Sequence, residues 1–263
     1  VDTGSYWNMF GQTIIMILIE IGGLGFMSFT TLIAIILGKK ITLRERLILQ
    51  DAMNTFNIQG LVKMVKYVLV FTVSVQFFGA LLLSTQFIPE FGFGKGAFYS
   101  LFHSISAFCN AGFDVLGKGN SLISFNTNVV VIMVLSILII IGGLGFTVWS
   151  ELYTCKSIRR VSIHSKMVLL ITTGLVVGGT LLMFLFEHNN PQTISKMSFI
   201  NKLTNSFFAS VTPRTAGIAT VDYGQLHPIT LFVSIILMFI GAGPNSTGGG
   251  VKISTVMVAI LAS

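Results

Sequence analysis

Long apolar stretches separated by short polar segments dominate the pattern of this 263-residue chain. A helix of roughly 20 apolar residues, rising 1.5 Å per residue, is long enough to cross a bilayer. Five stretches reach that length, and glycine and proline interrupt the last one. The pattern therefore predicts spanning helices over residues 8–37, 61–88, 128–153, 167–186 and 228–262.

One sequence motif recurs late in these stretches. Ile-Gly-Gly-Leu-Gly-Phe occurs at residues 21–26 and 141–146, and a diverged copy begins at Ile240. Such periodicity indicates one structural unit that is used several times. Val-Asp-x-Gly at residues 1–4 also recurs at 221–224, so we expect the chain to begin partway through a repeat. We interpret the glycines of the two intact copies as sites of close helix packing.

Composition and charge place the chain in a membrane. Hydrophobic residues make up 53% and charged residues 10%, whereas about a quarter of the residues of a soluble domain are charged. The net charge of +7 reflects topology rather than nucleic-acid binding, because two short loops hold ten of the 16 Lys and Arg residues. The positive-inside rule puts both loops in the cytoplasm and residues 89–126 and 187–227 outside. The ten residues are Lys39, Lys40, Arg44, Arg46, Lys63, Lys66, Lys156, Arg159, Arg160 and Lys166.

Two helical patterns are too short to span. Residues 97–109 cover only about 20 Å as a helix, and residues 201–211 cover less. The flanking stretches require both ends of each segment to return to the same side. We therefore predict two re-entrant helices, each followed by an extended segment. Non-helical backbone at membrane depth is tolerated where it is packed in protein or lines water.

Ala-Gly follows each short helix and suggests a cation site. Glycine permits backbone conformations that are closed to other residues, and the C-terminus of a helix carries a partial negative charge. Both properties favour a desolvated cation, as in a selectivity filter lined by carbonyl groups. The candidate filter residues are Asn110, Ala111, Gly112 and Phe113, and Thr215, Ala216, Gly217 and Ile218.

The last apolar stretch contains too many helix breakers to remain helical. Each interior Gly costs about 1 kcal/mol and Pro about 3 kcal/mol relative to Ala, so we predict a break at membrane depth. Polar side chains and water then pair the freed backbone groups, and a charge at this depth is a functional candidate. The candidate gate comprises Gly241, Ala242, Gly243, Pro244, Asn245, Ser246, Thr247, Gly248, Gly249 and Gly250, together with Lys252.

Taken together, the motifs resemble the Trk/Ktr/HKT potassium transporter superfamily, and most of all its bacterial Ktr membrane subunits. The resemblance rests on the doubled Ile-Gly-Gly-Leu-Gly-Phe, on Val-Thr-Pro-Arg-Thr-Ala-Gly at 211–217, and on the glycine-rich run at 241–252. It implies an all-α polytopic membrane protein, potassium-channel-like, with helix–pore-loop–helix repeats in pseudo-fourfold symmetry. Residues 1–60 would hold the second helix of repeat one and a cytoplasmic connection, 61–160 repeat two, and 161–263 repeat three.

The resemblance also implies a function and partners. It implies potassium translocation across a bacterial plasma membrane, with residues 241–250 as a gating loop under the filter. Glycine at positions 112 and 217 resembles the potassium-permissive form, and the choice between potassium and sodium stays open. The implied partners are a second copy of the chain and a cytosolic ring of nucleotide-binding regulatory subunits, with no cofactor in this chain. Residues 41–51 are amphipathic and predict an interfacial helix.

Several side chains have an interpretation of their own. His103 is expected to be a packed core residue, and Arg214 a strut that donates to loop carbonyls. Asp114 and Asp222 either attract cations or cap turns, and both alternatives stay open. No metal site is predicted.

Two other classes of function are compatible with a polytopic membrane protein. A secondary carrier would place solute-binding polar groups at its broken helices. An intramembrane enzyme would need a nucleophile and a base, for which Ser104 and Ser106 near His103 are the only candidates, without an orienting acid.

Overall fold

The computed structural model describes residues 2–25, 61–117, 119, 121–155 and 160–262. The secondary structure of this part is helical, with one isolated bridge between Ile240 and Val251. Two one-turn 3-10 helices lie at Ile123–Phe125 and Tyr223–Gln225. The α-helices are α1 (Thr3–Tyr6), α2 (Met9–Leu24), α3 (Leu61–Phe91), α4 (Phe93–Phe108), α5 (Val129–Leu144), α6 (Phe146–Thr154), α7 (Ile163–Glu187), α8 (Phe199–Val211), α9 (Pro228–Phe239) and α10 (Ile253–Ala262).

The chain is an all-α polytopic membrane protein in which one order of elements occurs twice. A long apolar helix, α3 or α7, is followed by a short helix, α4 or α8, then by an extended segment and another apolar helix. Val65–Phe91 and Ile163–Glu187 are each long and apolar enough to cross a membrane. The short helix packs against the long one in both cases. Both predicted short helices are confirmed.

The third predicted span is bent. The apolar stretch 128–153 predicts one spanning helix, but α5 ends at Leu144 and α6 leaves it at 90°. Gly145 between them has φ +99°, a conformation that side chains disfavour. The indole Nε1 of Trp149 donates to the carbonyl of Ile141 at 2.9 Å across the bend. The length of an apolar stretch does not reveal such a bend. Here the bend occurs at one glycine with positive φ.

The predicted break in the last span is confirmed. Helix α9 ends at Phe239 and α10 begins at Ile253. Backbone hydrogen bonds join the two ends of the intervening segment: Gly241 N–H donates to Val251 at 3.1 Å, and Val251 N–H donates to Phe239 at 3.2 Å. The segment is therefore an ordered loop whose two ends are hydrogen-bonded to each other.

Buried side chains of α3, α4 and α5 form the largest core cluster. Polar contacts also join neighbouring helices. Ser104 Oγ on α4 donates to the carbonyl of Gln76 on α3 at 2.7 Å. In the other copy of the unit, Ser210 Oγ on α8 donates to the carbonyl of Val176 on α7 at 3.0 Å. The same kind of serine therefore fixes the short helix to the long one twice.

Some sequence predictions fall outside the described residues. They include the amphipathic stretch 41–51, most of the first basic loop and Phe26, the last residue of the first motif copy. Lys156 and Arg159 of the second basic loop also lie outside them.

Candidate ion pathway

The two candidate filter segments share an unusual backbone pattern. In residues 110–113, the first segment, positive φ occurs at Asn110 (51°) and Gly112 (76°). In residues 215–218, the second segment, it occurs at the equivalent Thr215 (75°) and Gly217 (76°). Positive φ is a genuine outlier for a β-branched residue such as threonine, and strain of this kind clusters at functional sites.

Most carbonyl groups of the two segments are unpaired. Within the described part of the chain, no donor reaches the carbonyl oxygens of residues 110–112 or 215–217. Of these six residues Asn110 and Ala216 are buried and Gly217 is exposed, and buried backbone carbonyls are nearly always paired in folded proteins. Six unpaired carbonyls in two equivalent triplets therefore form a group of acceptors that is open to a ligand.

Hydroxyl groups hold the fourth carbonyl of each segment. Ser106 Oγ donates to the carbonyl of Phe113 at 2.6 Å, and Thr212 Oγ1 donates to the carbonyl of Ile218 at 2.5 Å. Each hydroxyl comes from the end of the preceding short helix. Phe113 and Ile218 therefore anchor their segments, which distinguishes them from the other candidate filter residues.

The two segments lie side by side. A Cβ placed on Gly112 would lie 2.5 Å from the carbonyl oxygen of Ala216, and one on Gly217 would lie 3.8 Å from Gly112 Cα. A cavity of about 540 Å³ is lined by both segments and by Met238 of α9. A second cavity, of about 440 Å³, lies between the first segment and α2.

The glycine-rich segment, residues 241–250, contacts the start of both candidate filter segments. A Cβ on Gly248 would lie 2.8 Å from Thr215 Oγ1 and 3.2 Å from Asn110 Nδ2. Gly249 N–H donates to Thr215 Oγ1 at 3.2 Å, and Asn110 Nδ2 donates to Thr247 Oγ1 at 3.3 Å. The segment therefore bridges the two short helix ends at the point where the unpaired carbonyls begin.

The glycine-rich segment is also hydrogen-bonded to the end of helix α5. Gly243 N–H donates to the carbonyl of Gly143 at 2.8 Å, and Thr247 N–H donates to the carbonyl of Gly142 at 3.2 Å. The last carbonyls of a helix lack partners within it, and the glycine-rich segment supplies these two. The sequence pattern at these glycines predicts close helix packing but not the docked segment, although the absence of side chains at both positions is a signal for it.

Lys252 follows the glycine-rich segment and forms a hydrogen bond back to it. Its Nζ donates to the carbonyl of Gly248 at 2.6 Å. Ser246 Oγ donates to the carbonyl of Gly243 at 2.6 Å. These bonds pair backbone groups that the helix break frees. Of the three side chains expected to do so, Asn245, Ser246 and Thr247, Ser246 bonds a carbonyl inside the segment, whereas the Thr247 hydroxyl donates to Phe108.

The remaining predictions for single side chains have different outcomes. His103 is fully buried, its Nδ1 lies 2.7 Å from the carbonyl of Tyr99, and it packs against Phe87, which confirms a core role. Asp222 caps a turn through Gly224 N–H at 2.9 Å.

The prediction for Arg214 is wrong. Its side chain is 5% exposed, and no hydrogen bond joins it to a carbonyl of the residues that the structure describes. Arg214 instead lines a small enclosed cavity with Ile140, Gly143 and Ala242. The donor count of a guanidinium does not reveal whether acceptors lie within reach.

The candidate groups for intramembrane catalysis serve the fold. Ser104 and Ser106 both donate to backbone carbonyls. Among the described residues, no three His, Cys, Asp or Glu side chains lie close enough to hold a metal ion. Both cysteines, Cys109 and Cys155, are free thiols.

Comparison with known proteins shows which proteins this chain is similar to. The family model TrkH, cation transport protein, matches residues 1–263. The potassium/sodium uptake protein NtpJ of Enterococcus hirae is 45% identical over 99% of this chain and 57% of its own length. The Ktr system potassium uptake protein B of Bacillus subtilis is 43% identical over 98% of this chain and 58% of its own length. The chain thus spans less than two thirds of these relatives.

A solved structure shows the same fold. The potassium transporter TrkH from Vibrio parahaemolyticus superposes with a TM-score of 0.66 at 17% identity, over 82% of this chain and 44% of that one. Together with the match over the whole chain, this superposition leads to one assignment. The chain belongs to the TrkH family of cation transport proteins.

Proposed function

We propose that this chain forms part of a potassium translocation pathway. The observation that carries the proposal is the set of six unpaired carbonyls at residues 110–112 and 215–217. Alternating positive and negative φ turns successive carbonyls toward one side of the backbone, whereas an extended strand alternates them. Carbonyl oxygens presented in this way replace the hydration shell of a cation.

The pathway would be built from repeated units. We assign residues 1–60 to the end of repeat one, 61–160 to repeat two and 161–263 to repeat three. In each complete unit the short helix points its C-terminus at the candidate filter segment, which adds a partial negative charge there. The names of two relatives, a potassium/sodium uptake protein and a potassium uptake protein, support potassium as the substrate and leave sodium as the competing ion.

Residues 241–250 and Lys252 would act as the gate. The segment lies at the start of both candidate filter segments and touches Asn110 and Thr215 through Thr247 and Gly249. Hydrogen bonds hold most of the segment and Ala242 is its buried apolar side chain, so opening would require these contacts to break. An ammonium group beside the segment adds an electrostatic barrier to cations until the segment moves.

The setting and partners follow from the resemblance to Ktr membrane subunits. We place the chain in a bacterial plasma membrane, as part of a homodimer that sits on a cytosolic ring of nucleotide-binding subunits. Nucleotide would bind to that ring, and this chain would bind only the transported ion. Co-purification of the full-length protein with such a ring, and its dissociation when the basic cytoplasmic loops are replaced, would test this assignment.

The filter is tested by rubidium uptake in cells that lack other potassium uptake systems. Gly112→Asp should abolish uptake, because it adds a charge and a side chain beside the carbonyl of Ala216. Gly94→Asp is a matched control, since a Cβ on Gly94 meets no atom within 4 Å. Unchanged uptake and selectivity in Gly112→Asp would contradict the filter.

The gate is tested by deletion of residues 243–249. The deletion removes the contacts to Asn110 and Thr215 and should raise rubidium flux. The comparison requires equal amounts of protein in the membrane. A flux that is unchanged or lower at equal expression would argue against a gate in this segment.

A further inference from the structure

Three helices meet at a carboxyl group inside the membrane. Glu20 on α2 accepts a hydrogen bond from Gln76 Nε2 on α3 at 2.7 Å. The same oxygen, Oε2, accepts from Cys109 Sγ at the end of α4, at 3.5 Å. Gln76 and Cys109 are both buried. We call this group of Glu20, Gln76 and Cys109 the carboxyl clasp.

The carboxyl clasp lies directly at the base of the first candidate filter segment. Cys109 precedes Asn110, the first residue with positive φ and with an unpaired carbonyl. A Cβ on Gly23 would lie 2.5 Å from Cys109 Sγ, so the backbone of α2 closely approaches this thiol. The conformation at Cys109 therefore depends on how α2 is held, and Glu20 holds it.

The second complete unit shows that the fold does not require such a clasp. Arg214 precedes Thr215 as Cys109 precedes Asn110, and Ile140 lies two residues before Gly142 as Glu20 lies two before Gly22. Ile140 and Arg214 line the same small cavity. The position of Glu20 thus accepts an apolar residue elsewhere in the same architecture.

A carboxyl group at this position is energetically unfavourable. Its other oxygen, Oε1, is buried and has no partner among the described residues. A buried polar group without a partner is unfavourable, and an ionisable residue inside a membrane is a functional candidate. An unfavourable group that the fold does not require, beside the candidate filter, calls for a functional explanation.

We propose that Glu20 is a positioning residue that sets the ion preference of the first candidate filter segment through Cys109. The proposal rests on the proposed potassium pathway and adds a determinant outside the filter residues. By fixing the thiol, Glu20 fixes the backbone from which the carbonyls of residues 110–112 project. Carbonyl position governs how well a desolvated ion is coordinated. Loss of the clasp therefore changes ion affinity and selectivity before it changes the amount of folded protein.

The test measures ⁸⁶Rb uptake into proteoliposomes that contain the full-length protein, with sodium as competitor. Glu20→Met should raise the half-saturating rubidium concentration severalfold, because the carbonyls that coordinate the ion lose the contact that positions them. It should also lower the preference for rubidium over sodium, with maximal uptake within about twofold of wild type. Glu20→Gln keeps an acceptor oxygen and should restore most of both properties.

A control on the same helix separates positioning from general destabilisation. Gln12 is buried and donates to the carbonyls of Thr3, Gly4 and Trp7, away from both candidate filter segments. Gln12→Met removes comparable polar contacts and should leave half-saturation and selectivity unchanged. A Glu20→Met protein with unchanged half-saturation and selectivity would overturn the proposal, as would equal shifts in the Gln12→Met protein.

A second variant covers the case in which Glu20→Met does not fold. Cys109→Ala removes the thiol donor while Gln76 still holds Glu20. Its selectivity should shift in the same direction by a smaller factor, and an unchanged selectivity in that variant overturns the proposal. A wild-type protein that carries no rubidium would instead overturn the proposed potassium pathway, so the two failures are distinguishable.

Discussion

The backbone N–H of Thr247 donates to the carbonyl of Gly142 at 3.2 Å. Gly142 also lies against the end of α4: a Cβ there would overlap the carbonyl oxygen of Phe108 and lie 2.8 Å from Thr247 Oγ1. One glycine therefore lets the short helix, α5 and the glycine-rich segment meet at one point.

Gly142→Ala should disrupt this meeting point. The added methyl group collides with backbone atoms, which cannot rotate away as a side chain can. Because the collision with Phe108 displaces the end of α4 and the candidate filter segment that follows it, we expect loss of rubidium uptake and a lower thermal midpoint in detergent. Gly22→Ala is the matched control, since Gly22 has the same place in the first motif copy and a Cβ there meets no described atom within 4 Å. Equal effects of the two substitutions would contradict this account.

The hydroxyl of Thr247 is a second anchor of the glycine-rich segment. It donates to the carbonyl of Phe108 at 2.8 Å and accepts from Asn110 Nδ2 at 3.3 Å. Thr247→Val keeps the volume and removes both bonds, so we expect rubidium flux to rise severalfold; each bond is worth about 1 kcal/mol. Thr247→Ser keeps the hydroxyl and should behave like the wild type. Patch-clamp recording or tracer uptake can measure the difference, and equal flux in both variants would argue against this anchor.

The two glycines of the candidate filter segments should respond differently to alanine. Both have φ +76°, which costs an alanine about 1–2 kcal/mol. A Cβ on Gly112 also meets the carbonyl of Ala216 at 2.5 Å, whereas one on Gly217 meets only Gly112 Cα at 3.8 Å. Gly112→Ala should therefore lower rubidium-over-sodium selectivity more than Gly217→Ala does. If competition uptake shows a larger loss of selectivity for Gly217→Ala than for Gly112→Ala, steric contact between the two segments does not determine the selectivity.

The sequence predicted the elements of this pathway better than their junctions. Breakers concentrated at residues 241–250 predicted the interruption between α9 and α10, because so many Gly and Pro residues exclude a continuous helix. Ala-Gly after a short apolar helix predicted both candidate filter segments. The sequence does not reveal the positive φ of Asn110 and Thr215. Contacts with Thr247 and Gly249, which are distant in the chain, accompany that conformation.

Long-range relationships were harder to predict from one sequence. The bend at Gly145 depends on Pro244 and Asn245, about 100 residues away, because Asn245 accepts from Phe146 N–H at 2.8 Å where α6 begins. The carboxyl clasp likewise joins Glu20 to residues 56 and 89 positions later in the chain. Periodicity describes a helix face, but it does not say which distant segment covers that face.

Arg214 offers a test of stability. A buried charge without a partner is unfavourable, and replacing buried charges by apolar side chains of similar volume is often neutral or stabilising. Arg214→Met should therefore leave the thermal midpoint unchanged or raise it, because the buried Nε of the guanidinium has no hydrogen-bond partner among the described residues. Arg214→Lys retains a charge in the same place and should not raise it. A clear fall in the midpoint of Arg214→Met would reveal a partner for the guanidinium that the described residues do not include.

Two carboxylates interact near the end of the first candidate filter segment. Asp2 Oδ2 accepts from Ser5 Oγ at 2.9 Å and from Gly119 N–H at 3.0 Å, and the Ser5 hydrogen bond helps to hold the pKa of Asp2 below its usual value. Burial raises the pKa of Asp114, and the negative charge of Asp2 raises it further. Asp114 immediately follows the first candidate filter segment and caps a turn by accepting backbone hydrogen bonds from Leu116 and Gly117; we expect its charge to attract cations as well.

Rubidium uptake should therefore depend on external pH. Asp114 loses its negative charge as pH falls through its raised pKa, so uptake at low rubidium should decline at a pH above the ordinary aspartate value of about 4. Asp114→Asn should remove this decline and lower uptake at neutral pH. Asp2→Asn removes a neighbouring negative charge, which lowers the pKa of Asp114 and should move the decline to lower pH. Tracer uptake at fixed internal pH measures all three, and a decline that survives in Asp114→Asn would assign the titration to another group.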